Sequence, residues 1–116
     1  MSAQSVNPAT GEVLETLEEM SKTQIDQALA QTHAAFLEWR TRPFADRSRL
    51  MRAAAQELRG NKAQYAMTMT REMGKPITQA EAEVEKCAGT CDYYAEHGPA
   101  FLAEQPRETD ASRSYV

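Results

Sequence analysis

The chain has 116 residues, 41% hydrophobic and 26% charged, with a formal net charge of −4. That size is one domain at most, and the composition is that of a globular chain, not a disordered one. The acidic balance argues against nucleic acid as a main partner, and no apolar run approaches the ~18 residues of a membrane span.

The N-terminus has neither a basic start nor an apolar run, so a secretory signal is not expected. Two cysteines without such a signal read as reduced thiols in a cytoplasmic protein. Residues 5–19 are expected to form a hairpin arm, with Val6 before the turn signal Pro8-Ala9-Thr10-Gly11 and Val13, Leu14 and Leu17 after it. A lone hairpin is marginal in water and should pack on something else.

Residues 21–103 read as four helices. Ser21 and Gln24 form a capping box for the first, with Thr23 and Asp26 as a rival. Ile25, Ala28, Leu29, Thr32, Phe36 and Trp39 recur at helical spacing, and Pro43 stops the run. The second helix spans about 45–59, with Leu50, Met51, Ala54 and Leu58 as its buried face and Gly60 in the left-handed position after it. Asn61 and Gln64 cap the third, whose apolar face is Tyr65, Ala66, Met69 and Met73. Gly74 and Pro76 end it. Thr78 and Glu81 cap the fourth and longest, with Val84, Cys87, Ala88, Cys91, Tyr94 and Ala95 on one face. Pro99 should kink or end it. Residues 104–116 read as polar loop followed by a strand, Ser114-Tyr115-Val116, cut off as it begins.

Little chemistry stands out from the residues alone. The five glycines are dispersed, so no G-x-G-x-x-G, phosphate loop or nucleophile elbow can be written. His33 and His97 have no partner at metal-ligand spacing. Cys87 and Cys91, four apart, read as small core thiols. Glu81, Glu83 and Glu85 read as a solvated face. Glu72-Met73-Gly74-Lys75-Pro76 is the most compact candidate; a helix stop explains its glycine and proline but not the flanking charges.

Four stretches together resemble the aldehyde dehydrogenase superfamily. Val6-Asn7-Pro8-Ala9-Thr10-Gly11-Glu12 looks like its N-terminal hairpin, and Trp39 followed by Asp46-Arg47 like its next helix junction. Glu72-Met73-Gly74-Lys75-Pro76 is similar to its acid-x-Gly-Lys-Pro signature, and Tyr93-Tyr94-Ala95-Glu96-His97-Gly98-Pro99 to the aromatic pair and turn that follow. Arg71 to Ile77 with Cys91 to Ala100 looks closest to bacterial succinate-semialdehyde dehydrogenases.

The resemblance implies a mainly α chain, four helices plus an N-terminal β-hairpin arm, forming part of the α/β aldehyde dehydrogenase fold. Residues 1–116 would be the N-terminal segment of its cofactor-binding domain. It implies oxidation of an aldehyde, succinate semialdehyde by closest likeness, with NAD or NADP. The nucleophilic cysteine, the general-base glutamate and the cofactor sheet would lie beyond this segment. The segment alone would therefore hold no catalytic or cofactor-binding residue and would be inactive. Its partner would be the remainder of the chain, in a homo-oligomer, with neither nucleic acid nor membrane. By resemblance, Glu72 with the backbone at Ser5 and Val6 would supply oxygen ligands to a monovalent cation. The fourth-helix face carrying Ala82, Lys86 and Thr90 would border the substrate tunnel. There the Lys86 ammonium, where related enzymes for apolar aldehydes carry a hydrophobic residue, would attract a distal carboxylate. The alternative is a free-standing helical interaction module using the same amphipathic faces.

Overall fold

The computed structural model describes residues 2–116. Strands β1 (Ala3–Val6) and β2 (Val13–Leu17) pair antiparallel, with Ala3 opposite Leu17 and a bulge between Ser5 and Val6. The arm starts two residues earlier than expected, because ladder hydrogen bonds need only backbone and the strand here carries no apolar periodicity to mark its start. In the turn, the Asn7 side-chain oxygen accepts from the Ala9 amide at 2.9 Å and the Gly11 amide donates to the Asn7 carbonyl at 2.8 Å. Gly11 takes a φ of 75°, open to glycine at little cost.

Helices α1 (Lys22–Trp39), α2 (Phe44–Gly60), α3 (Lys62–Met73) and α4 (Ile77–Phe101) follow. The fold is therefore the expected four helices with a two-stranded arm. The Ser21–Gln24 capping box of α1 forms in full.

Other local expectations need correction. Gly60 stays inside α2, and Asn61 follows it with φ −111°. The Asn61 amide turns back to donate to the Glu57 carboxylate at 2.7 Å, so it does not cap α3. Tyr65 donates to the same carboxylate at 3.3 Å. Desolvation, then the Glu57 charge and this hydrogen bond, raise the Tyr65 phenol above its ordinary pKa. The Thr78–Glu81 box does not form either. Pro76, with φ already fixed near −54°, takes the N-cap position and leaves Thr78 inside the helix. Pro99 does not end α4, which runs on to Phe101. So close to the helix end, its missing N–H removes one hydrogen bond in a turn that is about to stop. Residues 105–107 pair back with 114–116, through Gln105 N–H to Val116 O at 3.0 Å and Arg107 N–H to Ser114 O at 2.8 Å. The stretch read as polar loop thus begins a second small ladder.

The packed unit is α2, α3 and α4, with α4 contacting both of the others. Its seam is built almost wholly from small residues: Ala55 on α2, Ala66 on α3, and Ala80, Val84, Ala88 and Ala95 on α4. Small side chains let helix backbones approach closely, so no large side chain among the described residues is fully buried. The buried stripe of α2 runs through Ser48 and Ala55, and Leu50, Met51 and Ala54 face outward. Cys87 and Tyr94 on α4 are exposed too, and Cys91 is half-buried, so the thiols do not form core.

Helix α1 buries no residue. Its apolar stripe stands open, with Leu29 64%, Phe36 53% and Trp39 42% exposed. The radius of gyration is 20.7 Å. A compact domain of ~100 residues has one near 13 Å. The α1 stripe is thus left without a covering element among the described residues.

Candidate functional site

Two places bring charged residues together. The first lies where the arm meets the end of α3. Gly74 closes α3 in the left-handed conformation, with φ 71°. An added Cβ there would sit 3.1 Å from the Pro8 ring, so the turn of the arm lies directly against this cap. Two residues back, the Glu72 carboxylate accepts from the Ser5 hydroxyl at 3.1 Å. Glu72 stands at a helix C-terminus, where the dipole disfavours an anion. The Ser5 donor offsets part of that penalty. Ser5 and Glu72 are thus brought together, and Val6 follows Ser5 across the bulge. Sequence reasoning named the Ser5 backbone and missed its hydroxyl. Among the described residues no three His, Cys, Asp or Glu side chains gather into a metal cluster.

The second place is a shallow groove along α4, lined by Ala82, Glu83, Lys86, Cys87 and Thr90. Ala82, Lys86 and Thr90 share this groove, as their four-residue spacing requires. The Thr90 hydroxyl donates back to the Lys86 carbonyl at 2.9 Å. Two of the neighbouring glutamates, Glu83 and Glu85, are not merely solvated. Glu83 pairs with Lys75, which stands in the turn between α3 and α4. Glu85 accepts from Arg59 on α2 at 2.8 Å, and Arg59 reaches Asp92 at 2.7 Å. These two carboxylates, Glu85 first, raise the Arg59 pKa above its ordinary value. Lys86 itself makes no ion pair among the described residues. Neither cross-helix pair was legible from the sequence, since both join residues on different elements.

His33 lies tilted against Phe36 with ring centroids 6.5 Å apart, and His97 stacks on Tyr93 at 4.3 Å with Nδ1 2.9 Å from the Tyr93 carbonyl.

A family model described as "Aldehyde dehydrogenase family" matches residues 1–116. The chain belongs to the aldehyde dehydrogenase family. Over 112 residues it is 46% identical to the succinate semialdehyde dehydrogenase [NAD(P)+] Sad of Escherichia coli, covering 97% of this chain and 24% of that protein. It is 39% identical over 116 residues to a probable succinate-semialdehyde dehydrogenase [NADP(+)] of Synechocystis, covering 100% of this chain and 26% of that one. Its fold superposes with TM-score 0.89 and 35% identity on a succinic semialdehyde dehydrogenase from Streptococcus pyogenes crystallised with NADP+, covering 97% of this chain and 25% of that chain. The chain thus spans about a quarter of the length of these aldehyde dehydrogenases, at their N-terminal end. None of its helices among the described residues is long and apolar enough to cross a membrane.

Proposed function

We propose that this chain forms the N-terminal part of a cytoplasmic, homo-oligomeric aldehyde dehydrogenase that oxidises succinate semialdehyde to succinate with NAD or NADP as acceptor. The observation that carries this reading is the 46% identity to a succinate semialdehyde dehydrogenase across 97% of the chain. The fold supports it. Large apolar side chains such as Leu29, Phe36, Trp39 and Tyr94 face outward, as they would where the remainder of an α/β domain packs against them. Family membership over the whole chain favours the enzyme over an unrelated helical interaction module.

In this reading the segment is a scaffold. The paired strands form only an antiparallel hairpin, and no glycine-rich strand-to-helix turn occurs among the described residues. In this reading the dinucleotide is held by residues outside this segment, and none of the residues here is assigned to catalysis. The α4 groove borders the substrate path and offers Lys86, with Ala82 and Thr90 beside it, to a distal carboxylate.

The test replaces the corresponding N-terminal quarter of the Escherichia coli enzyme with this chain. The hybrid should form NAD(P)H from succinate semialdehyde, and the chain alone should not. A folded hybrid that oxidises neutral aldehydes but not succinate semialdehyde would refute the substrate. Turnover by the pure chain that disappears in Cys87→Ser or Cys91→Ser would refute the scaffold role.

Glu72 and the Ser5 and Val6 carbonyls are proposed to hold a monovalent cation. The donor set is oxygen throughout, which suits a hard cation. A site held at ten times its Kd would stabilise the enzyme by about 1.4 kcal/mol. Glu72→Gln should remove most of the gain in melting temperature that potassium gives the complete enzyme. An unchanged potassium response would show that Glu72 is only a surface partner of Ser5.

A further inference from the structure

Lys86 lies among glutamates in the sequence, yet its charge is not neutralised by them. Glu85 is adjacent, points to a different face and is held by Arg59. Glu81 lies more than a turn back. Glu83 is the carboxylate placed to pair with Lys86, since residues three apart on a helix are neighbours and both line the groove. Its carboxylate is instead paired with Lys75. Lys75 is itself partly enclosed, with 27% of its side chain exposed. It is fixed in place by the left-handed Gly74 before it and by Pro76 after it.

We infer that Lys75 is a positioning residue for substrate specificity: by holding Glu83 it leaves the Lys86 ammonium free to read a carboxylate on the aldehyde. This rests on the reading of the α4 groove as substrate-facing. Without Lys75, Glu83 relaxes onto Lys86. The groove then presents a neutralised pair to an anionic substrate.

The experiment uses the complete enzyme and reads one ratio, kcat/KM for succinate semialdehyde over kcat/KM for butanal, an uncharged aldehyde of the same carbon count. Lys75→Met should lower this ratio by ~2–5-fold, the scale of one partly exposed charge on association with an anion. Lys75→Arg keeps the pair and should keep the ratio. Adding Glu83→Gln to Lys75→Met removes the competing carboxylate and should restore the ratio. Glu83→Gln alone should leave the ratio nearly unchanged, because Lys86 is already free; a clear rise would mean that only net charge matters and would overturn the inference. Failure of the double variant to recover would likewise make Lys75 merely structural. Lys86→Met separates the two levels of the argument. If it lowers the ratio and Lys75→Met does not, the positioning role falls and the substrate-facing groove stands. If Lys86→Met leaves the ratio unchanged, the groove does not face the substrate and both readings fall.

Discussion

Replacing Ala88 with leucine should destabilise the three-helix unit by about 1–3 kcal/mol, the usual cost of forcing extra methylenes into a tight interface. Ala88 is fully buried on α4, in a stripe with Ala80, Val84 and Ala95. Ala55 and Ala66 are the fully buried residues of the two helices α4 packs on. A leucine there has no cavity to enter, because the closeness of the helices depends on small residues throughout the seam. The control is Ala54→Leu on α2, which points outward in this chain and should change stability by no more than about 0.5 kcal/mol. Urea denaturation of the chain followed by far-UV circular dichroism compares the two. Hydrophobic periodicity alone assigns Ala54 to the buried face, so the pair also decides between periodicity and the observed seam. A larger loss for Ala54→Leu than for Ala88→Leu would show that the seam is misplaced.

Gly74→Val should cost about 2–3 kcal/mol and loosen the arm. The left-handed conformation penalises a residue with a Cβ by roughly 1–2 kcal/mol, and a β-branched one more. The new Cβ would also meet the Pro8 ring at 3.1 Å, so either the cap or the arm must move. If the arm moves, the Ser5–Glu72 hydrogen bond goes with it. Limited proteolysis at the arm and the denaturation midpoint should therefore change together. Gly74→Asn should cost less, since asparagine tolerates this conformation better than other side-chain-bearing residues. Equal midpoints for Gly74→Val and the unaltered chain would mean that the cap carries no strain and does not position the arm.

Local chemistry was legible from the sequence at the start of α1 and the end of α3, where the partners are a few residues apart. Ser21 and Gln24 announce the start of α1 because a capping box closes within one turn. Gly74 announces the end of α3 because the left-handed residue and the following proline act on their own backbone. The motif order around Asn7-Pro8, Gly74-Lys75-Pro76 and Tyr93-Tyr94 pointed to the aldehyde dehydrogenase family, to which the chain belongs. Capping signals failed at two junctions, where Pro76 displaced Thr78 and Asn61 turned back to Glu57.

The faces of the helices were decided only in three dimensions. Periodicity marks the apolar side of a helix but not what covers it. Here the large apolar residues of α1, with Leu50 and Met51 of α2, face outward, and the core is drawn mostly from alanines that carry almost no hydrophobic signal. The candidate site followed the same division. The spacing of Ala82, Lys86 and Thr90 set their common stripe in advance. The freedom of Lys86 could not be read that way, because it depends on Lys75 and Arg59 drawing Glu83 and Glu85 aside from two other elements. Such pairings depend on how the helices cross. Crossing is set by side-chain packing between distant segments, which no local pattern along the chain encodes.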